Sequence, residues 1–238
     1  MRCICKEQKN NNEQQAMVDY ATLRRVMVDT HVRPSDVTKF PVIDAMLSVP
    51  RELYVPEDKT AVAYVGENLD MAPSRVLLDP RTLAKMLDWL DLRAGEAVLD
   101  IGCGLGYSTA VIARMVEAVV GVEEVPGMAE QAEAILAAQG VDNASVIAAP
   151  LVDGAPRHGP YDVLILQGGI DTLPDALIAQ VRPGGRIAAL FMDGPLGVCR
   201  IGHRAHADTP GAPVSWRDAF NAAAPVLPGF ARKRSFSL

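Results

Sequence analysis

Apolar positions change their period along this chain. From residue 98 onward, short apolar runs fall at 98–101, 118–122, 144–148, 161–166 and 187–191. They are nearly continuous rather than alternating, as strands buried on both faces are. Between them, residues 108–115, 128–139 and 172–181 carry apolar positions at helical spacing, the second closed by Gly140. Strands alternating with helices predict an α/β fold with a doubly wound, mostly parallel sheet. Residues 198–204 and 216–220 predict a final antiparallel pair.

Upstream of the sheet the pattern is helical. Residues 17–32 place Tyr20, Leu23, Val26 and Met27 on one face and end before Pro34. A second helix follows Pro41, with Val42, Ile43, Met46 and Leu47 inward, and stops near Pro50. Two such helices cannot bury their faces alone, so they form an N-terminal appendage on the sheet. Residues 51–80 are interrupted by Pro56, Gly66, Pro73 and Pro80, which predicts a long covering loop. Residues 81–90 then read as a helix leading into the first strand, with Leu83, Met86, Leu87 and Leu90 facing the core. The first 16 residues are hydrophilic and aperiodic, which predicts a disordered tail and makes Met17 a candidate natural start. The expected division is a tail at 1–16, helices and loop at 17–80, and the α/β domain at 81–238.

Composition narrows the function classes. The 238 residues are 49% apolar and 22% charged, enough for one α/β domain with an appendage. No apolar run approaches the roughly 20 residues a membrane span requires. Four cysteines at 3, 5, 103 and 199 are too few and scattered for a disulfide scaffold and suit a reducing cytoplasm. The net charge is −6 and basic residues are dispersed apart from Arg232-Lys233-Arg234, which argues against a nucleic-acid partner.

The chemistry concentrates in Val98-Leu99-Asp100-Ile101-Gly102-Cys103-Gly104-Leu105-Gly106-Tyr107, where a strand runs into three alternate glycines and then a helix. Glycines there let a backbone approach a ligand closely and adopt positive φ. A dinucleotide turn would read G-x-G-x-x-G, but Tyr107 stands three after Gly104. The second strand ends in Glu123-Glu124, an acid placed to accept both ribose hydroxyls of a cofactor without phosphate. The pattern therefore favours S-adenosylmethionine over NAD. The expected cofactor-binding residues are Asp100, Gly102, Cys103, Gly104, Gly106, Tyr107, Glu123, Glu124, Leu151 and Gln167. Asp100 either reaches the cofactor's amino group through bridging groups or orients the glycine turn.

These motifs, together with Val42-Ile43-Asp44-Ala45-Met46-Leu47-Ser48-Val49-Pro50-Arg51-Glu52-Leu53-Tyr54-Val55-Pro56, Ala63-Tyr64, Val122-Glu123-Glu124-Val125-Pro126 and Val181-Arg182-Pro183-Gly184-Gly185-Arg186, carry a resemblance. Over residues 17–192 the chain resembles the protein-L-isoaspartate (D-aspartate) O-methyltransferase family. The resemblance implies a cytosolic S-adenosylmethionine-dependent carboxyl methyltransferase that releases S-adenosylhomocysteine and acts on damaged proteins or peptides. Three positions depart from the family pattern. Leu78 stands where the family has a serine near the acceptor, Ala149-Pro150-Leu151 replaces its Gly-Asp-Gly, and Leu166-Gln167-Gly168-Gly169 replaces V-T-A-A. Two further readings therefore stand beside it: a relative rebuilt for another acceptor such as a small molecule, and a cofactor-binding protein without catalysis.

Methyl transfer to a carboxylate needs no general base, because the acceptor is already deprotonated at neutral pH. Positioning and exclusion of water suffice. Arg75 or Arg81 could clamp the acceptor carboxylate bidentately, or both could face solvent. Gln167, at the end of the fourth strand, completes the expected catalytic set. No metal site is expected, since His203 and His206 sit in a polar loop without a third ligand and His31 and His158 lie elsewhere. Cys103 reads as a small packed residue, and the nine methionines as core filler.

Overall fold

The computed structural model describes residues 18–206 and 213–232. The expected tail at 1–16 and the start at Met17 lie outside those residues. Seven strands form one sheet: β3 (Ala97–Ile101), β4 (Ala118–Glu123), β5 (Ala144–Ala148), β6 (Tyr161–Ile170), β7 (Val181–Asp193), β8 (Leu196–Arg204) and β9 (Val214–Asn221). Their order is β5-β4-β3-β6-β7-β8-β9, parallel through β7, with β8 and β9 antiparallel. The doubly wound sheet and its closing antiparallel pair are as expected. β3 pairs with β4 on one side and β6 on the other, so the strand order reverses between β3 and β6, at whose C-terminal ends such sheets open a ligand crevice.

Strand residues divide by parity between two apolar layers. Val98, Val163, Ile165, Ala188 and Leu190 share a core with α3 (Pro80–Leu90), α4 (Tyr107–Ala113) and α5 (Met128–Ala138). Leu99, Ile101, Leu164, Leu166 and Ala189 face the other way, against Leu177 of α6 (Asp175–Gln180) and Leu227 and Phe230 beyond β9. This two-sided burial is why β3 and β6 read as continuous apolar runs.

The N-terminal segment departs from expectation in its detail. Helix α1 covers only Tyr20–Met27, and a π-helical turn at Val28–Val32 follows. The widened turn rotates the buried face, so Val28 and Val32 are fully buried while Val26 is 50% exposed. Helix α2 (Phe40–Ser48) buries Val42, Ile43 and Met46 as expected, with Leu47 at its margin. The region 51–80 is not one loop: two 3₁₀ segments precede an antiparallel hairpin of β1 (Leu69–Ala72) and β2 (Arg75–Leu77). Pro73 and Ser74 make its turn, Ser74 at φ 57°. The helix expected at 172–181 shrinks to α6, because Val181 is drawn into β7 opposite Tyr161.

Candidate functional site

The glycine turn is built as its sequence requires. Gly102, Gly104 and Gly106 have φ of +77°, +60° and +92°, a region that costs other residues strain. Asp100 points from β3 toward the following helix and is fully buried. It accepts hydrogen bonds from Ser108 Oγ (2.6 Å), Thr109 Oγ1 (2.8 Å) and Gln167 Nε2 (2.7 Å). Burial raises its carboxyl pKa, and these three donors only partly oppose that. Asp100 is thereby bonded to the start of the following helix and to β6. Ser108 and Thr109, which supply two of its three donors, were missed; hydroxyls eight and nine residues beyond a buried acid were the available signal.

Glu123 is the inward-facing acid at the end of β4, also fully buried. Its Oε2 accepts from Gly104 N (2.8 Å), and its Oε1 from Glu124 N and Val125 N (both 3.0 Å). Arg75 completes the set, donating from Nη2 to Oε2 (2.6 Å) and from Nε to Oε1 (3.4 Å). Arg75 Nη2 also donates to Gly102 O. Burial pushes the Glu123 carboxyl up, but the Arg75 hydrogen bond and charge, with the backbone N–H groups, hold it below its ordinary range. The sequence expectation of an arginine open to an acceptor or to solvent is thus corrected: Arg75 is 2% exposed and lies against the glycine turn.

Arg81 is placed elsewhere. It is part-exposed, stacks over Phe220 (5.7 Å) and donates to Asn221 O, so the two arginines do not converge. Glu124 turns outward and accepts from Leu151 N (3.2 Å), while the Leu151 side chain is wholly in the core. Tyr107 is buried beneath the Arg51 guanidinium, 4.7 Å above its ring. Cys103 is buried, its thiol pushed well up by burial and by neighbouring Asp100 and Glu123, so it is packing rather than a nucleophile.

Two cavities adjoin the site, one lined by Arg75 and Glu124 and the other by the glycine turn. The larger, ≈ 550 Å³, is lined by Pro73, Arg75, Glu124, Val125, Pro126, Ala148, Ala149, Pro150 and Pro228, an apolar slot of the size small ligands occupy. The smaller, on the Asp100 side between Leu77, Leu78, Gly102–Gly104, Ser108 and Gln167, holds only ≈ 10 Å³, room for about one water. Leu78 is 1% exposed and seals that side. At the end of β6, a C-terminal strap passes over Gly168 and Gly169: Gly169 N donates to Pro225 O, and Leu227 N to Gly169 O. A Cβ on Gly169 would meet Ala224 O at 2.6 Å, which explains the glycine pair. The strap was not foreseen; the glycine pair standing in place of the family's V-T-A-A was its trace in the sequence.

The family model for protein-L-isoaspartate (D-aspartate) O-methyltransferase matches residues 24–192. The chain belongs to this family. A relative from Methanoculleus marisnigri, a protein-L-isoaspartate O-methyltransferase, is 33% identical over 166 residues, covering 70% of this chain and 76% of that one. One from Methylorubrum extorquens with the same name is 36% identical over 172 residues, 71% and 74% of the two chains. A solved protein-L-isoaspartate O-methyltransferase superposes with a TM-score of 0.72 at 21% identity, over 88% of this chain and 66% of that one. A family structure from Plasmodium falciparum, in complex with S-adenosyl-L-homocysteine, gives 0.69 at 17% over 87% and 97%. The family and enzyme class expected from the glycine turn and the V-P-R-E motif are therefore borne out: this is a methyltransferase. Among the described residues, no helix is long and apolar enough to cross a membrane.

Proposed function

We propose that the chain is an S-adenosylmethionine-dependent methyltransferase of the carboxylate of isoaspartyl residues in damaged proteins or peptides. Membership of the family over residues 24–192, with its glycine turn and buried acid at the sheet's crevice, carries this reading. The residues suit the cofactor in kind. Gly102, Gly104 and Gly106 form the cradle, and Glu123 is an acceptor matched to a ribose diol. The proline-lined slot beside Glu124 and the Leu151 backbone suits a flat base. Cys103 and Tyr107 are buried at the cradle, and Gln167 donates to Asp100 at the end of the strand that leads into it.

The cofactor, when bound, supplies an electrophilic methyl group on a sulfonium. The chain's task is to hold a carboxylate in line with it and exclude water. The layer at residues 17–80 does the excluding for the domain at 81–238. Leu78 contributes a dry wall, and no side chain need act as a base. Arg75 is the arginine at the crevice, where it is paired with Glu123; Arg81, over Phe220, is outside it. The enzyme is assigned to the cytoplasm, in keeping with Cys103 and Cys199, which are both free and buried.

The test is release of S-adenosylhomocysteine from purified protein with S-adenosylmethionine and an isoaspartyl peptide, the aspartyl isomer serving as control. Turnover on the isoaspartyl form alone is expected. No turnover by protein that binds the cofactor would overturn the acceptor and leave the cofactor.

A further inference from the structure

Glu123 has no acceptor capacity to spare. An ionised carboxylate offers about four lone-pair sites. Here three backbone N–H groups and two guanidinium N–H groups already occupy them, in a place where neither side chain is more than 1% exposed. The backbone donors belong to the turn and stay with it. Arg75 belongs to β2, on a hairpin outside the main sheet. It is therefore the only one of the two contributors able to leave without unfolding the turn.

Three further observations support Arg75 lying in the ligand's place rather than beside it. Its guanidinium lies where a Cβ on Gly102 would be, at 2.8–2.9 Å, so it occupies the approach that the absence of a side chain leaves open. Its Nη1 is buried with no hydrogen-bond partner among the described residues, a donor left unmatched while the other nitrogens are used. The same residue lines the ≈ 550 Å³ slot, so the space for a base and the occupied acid are contiguous.

We infer that Arg75 sets this chain's affinity for its cofactor by competing with the ribose hydroxyls for Glu123. The inference rests on the S-adenosylmethionine reading above. Cofactor entry requires the guanidinium to lift from Glu123 and Gly102, and the free energy of that ion pair is subtracted from binding. Glu123 then exchanges two N–H donors for two O–H donors, while the three backbone bonds persist. Its charge is retained.

The experiment is calorimetric titration of S-adenosylhomocysteine into the wild-type chain, Arg75→Gln and Arg75→Lys, with thermal unfolding of each alone and with the ligand. Arg75→Gln is expected to bind about tenfold or more tightly than wild type, which is ~1.4 kcal/mol. Its unfolding midpoint should start lower and rise further with ligand. Arg75→Lys keeps a cation but loses the two-pronged geometry, so its affinity should fall between the two; it also answers if the glutamine variant does not fold. Wild-type binding as tight as or tighter than both variants would overturn the inference and leave the methyltransferase reading intact. Absence of binding in all three folded proteins would overturn the cofactor reading and this inference with it.

Discussion

At the residue scale, the decisive pair is Arg75 with Glu123. Each is buried, and each is costly without the other. Glu123→Gln leaves the guanidinium inside without its counter-charge, and should lower unfolding stability by about 3–5 kcal/mol in urea titrations. The pH dependence has a definite sign. The folded-state carboxyl of Glu123 lies below its unfolded value. Its contribution to stability is therefore present above the unfolded pKa, roughly 4.3, and disappears as pH falls through the folded value. In Arg75→Gln the same carboxylate is buried without a cation, and protonating it relieves the cost. The gap in melting temperature between wild type and Arg75→Gln should thus narrow from pH 7 to pH 4, and a gap that widens on acidification would refute the pairing. Glu123 itself was legible, because an acid at the end of the second strand has a local meaning. Its partner was not: Arg75 lies 48 positions away, and only the folded chain brings β2 onto the glycine turn.

At the element scale, the strands were readable because burial on both sheet faces leaves continuous apolar runs, and β5 falls at the residues its pattern predicted. The β1–β2 hairpin was hidden by its shortness: four and three residues around a Pro-Ser turn give no period to detect. Its seating comes from long-range bonds. Arg51 donates to Leu78 O, and Asn68 to Ala223 O, which ties the hairpin to the C-terminal strap. The glycines where elements meet test this construction. Gly106 caps α4 at φ +92°, with Ala132 3.4 Å from where a Cβ would stand. Gly106→Ala should cost about 1–2 kcal/mol from backbone strain alone. Gly169→Ala should cost about 1–3 kcal/mol, because the nearest atom is the backbone oxygen of Ala224 and the strap must move. Added protease cleavage within residues 222–230 of Gly169→Ala, but not of Gly106→Ala, would mark the strap as the part displaced.

For the whole molecule, the sequence suggested an appendage set on an α/β domain, and the packing bears on how independent the two are. Met27, Val32 and Met46 from the N-terminal helices share one apolar cluster with Leu83, Met86 and Leu87 of α3 and with Val98, Val163 and Ala188 of the sheet. That continuity arises because α3 lies between the two, with apolar residues on more than one side, a feature its single predicted face did not convey. A segment whose buried face is completed by α3 has no separate core to melt. Chemical unfolding should therefore be one transition, with intrinsic fluorescence from Trp89 on α3 and Trp216 on β9 coincident with loss of helical circular dichroism. Early loss of helical signal while both tryptophans remain native would show that residues 17–80 detach first. The cofactor seat supplies the second half of the test. Arg75 is carried by that N-terminal layer but bonded to the turn after β3 and the acid of β4, so ligand occupancy and seating of the layer are coupled through one side chain. If Arg75 competes with ligand, saturating S-adenosylhomocysteine should stabilise the sheet while loosening the hairpin. Hydrogen exchange would then slow at residues 98–107 and quicken at residues 69–77 in the same sample.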